Sequence, residues 1–248
     1  MSKFQDFAEL HVGGEPLLLF NVWDAGSAVA VAASGAKAIA TGSASVSMAN
    51  GFGDGQEVPI HFAIANAARI VAAVDLPVTV DFEGGYAVDA AGLRANGQKL
   101  AETGAIGCNF EDQVVGTDRL YDMDEQVSRL QALRSGVGTD FFINARTDLF
   151  LKARPEHHDA VLVEEAIARG KAYAAAGVNG FFIPGLRDLP LVDRICRALE
   201  LPVNAMHLPN GPTRAEWASA GIARVSHGPF PFMAMQAWLT DEARAAAA

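Results

Sequence analysis

Lysine is scarce in this chain. Its 248 residues contain five, Lys3, Lys37, Lys99, Lys152 and Lys171, and a barrel enzyme working through a Schiff base needs one inside the barrel. Cysteine is scarcer still, with Cys108 and Cys196 and no C-x-x-C pair. No disulfide framework is indicated, and both read as reduced thiols in or near the core of a cytoplasmic protein. Basic residues are outnumbered, 19 Lys and Arg against 29 Asp and Glu, for a formal net charge of −10. That balance excludes a general nucleic-acid or anionic-membrane partner. It leaves a small anion open, because a metal ion and one arginine can reverse the sign locally. No apolar run is long enough to span a bilayer, and the opening Met-Ser-Lys-Phe-Gln-Asp lacks a targeting pattern. A G-x-G-x-x-G after the first apolar run and a G-x-S-x-G elbow are both absent.

What is present is alternation. Short apolar runs at 17–20, 38–41, 78–80, 105–110, 141–145, 180–183, 202–206 and 223–226 read as strands. Longer amphipathic runs at 25–34, 60–74, 89–103, 124–135, 161–176, 189–199, 213–220 and 231–239 read as helices. Asp24 is placed to cap the first of these helices and Gly35 to close it. Eight strand–helix units with short links imply parallel strands with helices outside. The fold class is therefore α/β, a single (β/α)8 TIM barrel over residues 1–248.

Val78-Thr-Val-Asp81-Phe-Glu83-Gly-Gly is the most informative stretch. A buried strand stops at two carboxylates two residues apart, which share one face. Two hard oxygen ligands at a strand tip suit a Mg²⁺ ion whose other positions go to water and substrate. In a barrel the C-terminal strand tips share one face. That face would collect Asp24, Ser43, Asp81, Glu83, Glu111, Asp112, Arg146, Asp148, Asn204, His207 and His227, with Asp54 on the loop after the second strand. Unpaired buried carboxylates are costly, so a cation must compensate them. Asp81, Glu83 and Glu111 come from neighbouring strands, close enough for one ion to bridge. Arg146 is placed to grip a substrate carboxylate through a bidentate fork, or to pair with Glu111 or Asp148. Gly42-Ser43-Ala44 can offer adjacent N–H groups to a developing oxyanion. Trp23 and Asn204 are assigned to the substrate; Asp112 and Asp148 read as buttresses, and His207 and His227 as structural.

Taken together, Gly51-Phe-Gly-Asp54-Gly55, Asp81-Phe-Glu83-Gly-Gly-Tyr86, Asn109-Phe-Glu111-Asp112, Phe142-Ile-Asn-Ala-Arg146-Thr-Asp148 and Ile183-Pro-Gly185 resemble the phosphoenolpyruvate mutase/isocitrate lyase superfamily over nearly the whole chain. The resemblance implies a Mg²⁺ or Mn²⁺ enzyme that handles an α-oxo-carboxylate enolate. It makes Asp81 the direct metal ligand and Glu83, Glu111 and Asp54 ligands acting mostly through water. It makes Arg146 the carboxylate clamp, and Ser43 with Ala44 the oxyanion turn. It further implies a cytoplasmic homo-oligomer, a dimer or tetramer. Glu83 stands where many members carry Asp. The loop 113–122 lacks the cysteine, lysine and histidine of the isocitrate and methylisocitrate lyases, and is expected to act as a lid. The expected activity is a lyase cleaving a C–C bond of a small 2-oxo or 2-hydroxy di-acid. The alternatives are a phosphonomutase acting on a P–C bond and a non-catalytic carboxylate-binding barrel.

Overall fold

The structure, a computed structural model, describes residues 2–247; Met1 and Ala248 of the expected domain lie outside them. Eight strands, β1 (Leu17–Leu19), β2 (Ile39–Ala40), β3 (Val78–Asp81), β4 (Gly107–Glu111), β5 (Phe142–Arg146), β6 (Gly180–Phe182), β7 (Val203–Met206) and β8 (Arg224–Ser226), form one parallel sheet in the order β1-β8-β7-β6-β5-β4-β3-β2. The gap between β1 and β2 is closed just beyond their ends. Val22 and Thr41 form a parallel bridge there, and the Val22 N–H donates to the Ala40 carbonyl. The result is the expected (β/α)8 barrel.

Each strand alternates between two environments. Val80, Cys108, Phe110, Ile143, Ala145, Phe181, Val203, Ala205 and Val225 pack outward into the main core under the helices. Their neighbours face the barrel axis, and many of these are polar. Asn144 donates to Asn109 at 2.9 Å, Asn204 to Ser226 at 3.3 Å, and Arg224 to Asn109 at 3.1 Å. Gly180 makes room for this layer: a Cβ there would lie 2.8 Å from the Asn144 Oδ1. Phe7, Leu17, Leu19, Ala38, Ala40 and Phe142 close the opposite end of the barrel as a separate apolar cluster.

Three helices lie outside the expected pattern. The first, α1 (Lys3–Glu9), is started by a Ser2–Gln5 capping box and inserts Phe7 into the barrel's bottom, edge-on to Phe142 at 5.2 Å. The second, α3 (Ser43–Ala49), occupies what reads as turn and loop, and the third, α7 (Leu149–Lys152), is a single turn. Between them α2 (Ala25–Ala33), α4 (Ile60–Ala73), α5 (Ala90–Glu102) and α6 (Met123–Val137) follow the expected scheme. So do α8 (Ala160–Ala175), α9 (Leu189–Ala198) and α10 (Arg214–Ser219). The last helix, α11 (Phe230–Ala246), runs well past residue 239. Among the described residues no helix is long and apolar enough to cross a membrane.

His11, just after α1, stacks on Phe142 at 4.4 Å and bonds the Phe7 carbonyl through Nδ1 at 2.8 Å, while its Nε2 is shut off from solvent. Burial, and then the charge of Arg224, lower its pKa to about 3 against the Phe7 bond. Between pH 6.5 and 3 the unfolded chain therefore holds more protons at this site than the folded one, so stability is lost as the pH drops. Urea unfolding should lose about 1–2 kcal/mol from this group between pH 7 and 5. His11→Phe, which keeps the stacking ring, should remove that part of the slope; an unchanged slope would acquit His11.

Candidate active site

The C-terminal strand tips enclose a cavity of about 200 Å³. Asp81 ends β3 on its wall. One carboxylate oxygen, Oδ2, accepts from the Ser43 N–H at 3.1 Å and the Ser43 hydroxyl at 2.9 Å. The other, Oδ1, is buried without a hydrogen-bond partner. Ser43 is the first residue of α3, whose N-cap Gly42 offers no side chain, so the helix start is held by Asp81 itself. This commits the Ser43 amide. Ala44, also on the cavity wall, keeps a first-turn N–H without an intrahelical acceptor. Asp54 lines the same cavity, and burial followed by the charge of Asp81 raises its pKa.

Arg146 ends β5 across the cavity. Its Nε and Nη2 fork onto Asp148 at 2.5 and 2.9 Å, and its Nη1 meets Glu111 at 2.9 Å. Burial opposes its charge, yet Glu111 and Asp148 hold its pKa well above the usual arginine value. The reading of Arg146 as an ion-pair partner thus holds for both acids at once, on a side chain that also faces the cavity. Behind it, Asp112 accepts from the Asp148 N–H at 2.9 Å, from Tyr173 at 2.8 Å and from Arg169 at 3.2 Å. Asp112 is the expected buttress.

The four proposed metal ligands are not brought together. Among the described residues no three His, Cys, Asp or Glu side chains form a metal-binding group. Asp54 and Asp81 share the cavity. Glu111 is turned to Arg146 and to Gln113, which donates to it at 2.9 Å; burial, and then Asp148, Asp81 and Glu83, raise its pKa against Arg146. Glu83 gives both oxygens to neighbours, one to the Gln56 N–H at 2.6 Å and one to the Tyr86 hydroxyl at 3.0 Å. Burial, and then Asp81 and Asp54, raise its pKa to about 7. What remains still suits a hard cation, since Mg²⁺ is commonly held by one or two carboxylates with waters completing the shell. The bare, buried Oδ1 of Asp81 is the oxygen that could serve as its inner ligand.

Two substrate assignments fall outside the cavity wall. The Trp23 ring packs edge-on against Phe232 at 5.0 Å and its carbonyl accepts from Asn66. Asn204 lies one layer down, bonded to Ser226. The wall instead includes Asn21, Asn109 and Ser226. Asn21, just past β1, ties the tips of β2 and β8 by donating to the Thr41 carbonyl at 2.7 Å and accepting from the Gly228 N–H at 2.9 Å. The signal for Asn109 was there: a polar residue at an inward position of an otherwise apolar strand. No residue of the expected lid, 113–122, lines the cavity. That loop is folded on itself by the Gln113–Leu120 bridge and tied down by Lys152 and Arg169. His207 and His227 stack on each other at 4.8 Å, and His227 bonds the Leu19 carbonyl.

The phosphoenolpyruvate phosphomutase family model matches residues 7–247. A candidate phosphonomutase from Burkholderia cenocepacia has a solved structure that superposes with a TM-score of 0.95 at 46% identity, covering 98% of each chain. An uncharacterized protein of Mycobacterium tuberculosis is 32% identical over 92% of this chain and 83% of its own. An oxaloacetate decarboxylase of Bradyrhizobium sp. is 31% identical over 54% of this chain and 46% of its own, so the chain spans about half of that relative. A phosphonopyruvate hydrolase solved with oxalate and Mg²⁺ shares the fold, with a TM-score of 0.85 at 18% identity over 97% and 85% of the two chains.

Removing the shared cation should expose what it offsets. Arg146→Met is expected to cost about 3–5 kcal/mol in urea unfolding, because Glu111 and Asp148 stay buried without it. Adding Glu111→Gln should recover part of that loss; strictly additive losses would show that Glu111 and Arg146 act independently.

Proposed function

The chain belongs to the phosphoenolpyruvate phosphomutase family, and on that premise we propose that it is a metal-dependent lyase cleaving a C–C bond of a small 2-oxo or 2-hydroxy di-acid. The observation that carries the reading is the buried, unpartnered Oδ1 of Asp81, a residue that lines the same cavity of about 200 Å³ as Asp54 and Arg146. Mg²⁺ or Mn²⁺ held by Asp81, with Asp54 beside it, would polarise the substrate carbonyl and offset charge developing on its oxygen. Arg146 is already oriented by its fork to Asp148, so its remaining N–H donors meet an incoming carboxylate without further ordering. The Ala44 N–H serves the developing enolate oxygen; the Ser43 N–H is spent on Asp81. Leu151, Phe182, Pro184, Met206 and Pro229 give the cavity an apolar rim, which limits indiscriminate protonation of an enolate by water. Cytoplasmic homo-oligomerisation belongs to the same reading; exposed Met233, Trp238 and Leu239 along α11 support it.

The second reading is phosphonomutase chemistry, favoured by the 46% identity to the Burkholderia candidate. A phosphoryl group needs a cation to hold it, and Arg119, the one cation of the 113–122 loop, is absent from the cavity wall, which keeps this reading second. Oxaloacetate, phosphonopyruvate, methylisocitrate and substituted malates, each with Mg²⁺ or Mn²⁺, separate the two. Pyruvate-like product from a carbon di-acid, lost on metal removal and in Asp81→Ala, is expected. Turnover of phosphonopyruvate alone, followed by ³¹P NMR, would establish the second reading. Arg146→Lys should lower kcat/KM by the equivalent of about 2–4 kcal/mol in either case.

A further inference from the structure

Four residues other than glycine have left-handed backbones among the described residues, and three of them meet at one point. Gln56 has φ +63°, Glu83 +50° and Tyr86 +56°. Such conformations cost of order 1 kcal/mol or more each and persist only where neighbours over-determine them. Here the three determine one another. The Gln56 N–H donates to the Glu83 Oε2 at 2.6 Å, the Tyr86 N–H donates to the Gln56 side-chain oxygen, and the Tyr86 hydroxyl donates to the Glu83 Oε1 at 3.0 Å. The bare backbone of Gly84 lets the Gln56 amide lie close, since a Cβ there would sit 3.1 Å from its nitrogen.

Gln56 belongs to the loop between α3 and α4, which also carries Asp54. Elsewhere in that loop Gly53 donates to Glu57 and Phe52 to the Ser47 carbonyl. Every hydrogen bond fastening it to the β3 turn runs through Gln56. This loop, unlike 113–122, reaches the cavity.

We propose that Glu83 is a positioning residue, not a metal ligand: with Gln56 and Tyr86 it latches the 50–59 loop onto the β3 turn and so sets Asp54 beside Asp81. The placement of the metal at Asp81 and Asp54 rests on the reading above; the latch itself does not. An aspartate at 83 would be one methylene shorter, and the added length is what spans the distance to the loop.

The test has two arms. Hydrogen exchange of the 50–59 segment is measured without metal, on variants whose fold is checked by circular dichroism. Gln56→Ala and Glu83→Ala should speed exchange there by about tenfold or more. Tyr86→Phe should give a smaller rise. Glu83→Gln should stay near wild type, because its amide oxygen still accepts from the Gln56 N–H. In the second arm Mn²⁺ is titrated calorimetrically. Gln56→Ala and Glu83→Ala should weaken binding together by about tenfold, and Glu83→Gln should not. Unchanged exchange in Gln56→Ala overturns the latch. Loss of Mn²⁺ affinity in Glu83→Gln with none in Gln56→Ala makes Glu83 a ligand and also overturns it. A wild-type protein that binds no Mn²⁺ overturns the metal reading alone, and the exchange arm still decides the latch.

Discussion

The carboxylate of Asp81 is the charge to which the rest of the site responds. It lifts the pKa of Asp54, Glu83 and Glu111 after burial has done so, and it favours the charged forms of Arg146 and Arg224 against burial. It also makes a helix. Ser43-Ala-Ser-Val-Ser-Met-Ala is a poor helix former with no side-chain cap; the Asp81 Oδ2 supplies the anchor for its first N–H. The same residue therefore fixes the backbone of the cavity wall and keeps its second oxygen without a hydrogen-bond partner.

Beneath this carboxylate the barrel is not filled as barrels commonly are, with branched apolar layers. Asn109, Asn144, Asn204 and Arg224 form its middle. Arg224 is buried, pairs with no carboxylate among the described residues, and bonds Asn109 and Ser226, both of which line the cavity. Burial lowers its pKa to about 9 against the pull of Asp81 and Cys108. A neutral side chain would pack there at less cost. The arginine is tolerated because its hydrogen bonds define the cavity floor and its charge lies under a wall of acids.

The barrel was legible because each strand is an inward–outward alternation bounded by turn residues, and because chemistry concentrates at the tips. Asp81, Asp54, Arg146 and Ala44 could be placed from that alone. Direction could not. Glu111 and Arg146 are register partners on β4 and β5, so the spacing allowed Glu111 to face a metal as readily as the guanidinium it meets. Trp23 and Asn204 sit at tips by number, yet one turns outward to Phe232 and the other lies a layer too deep. The bottom plug was missed because α1 is seven residues long with one buried side chain, Phe7, too little to show a period. The loop 113–122 has the polarity of a lid, but its ties run to Lys152 and Arg169, residues far along the chain.

Charge balance gives the arrangement its sense. Asp54 and Asp81 line the cavity with Arg146, whose charge is shared with Glu111 and Asp148 behind it. A di-acid entering such a site by itself adds to an excess that is already only partly relieved by raised pKa values. The same excess is what a divalent cation requires, and a hard cation at the Asp81 Oδ1 would turn the cavity from one that repels an anion into one that holds it. Arg146 cannot do this alone, because its charge is already shared between two acids. On the proposed reading, a cation would therefore enter before or with the acid that Arg146 orients.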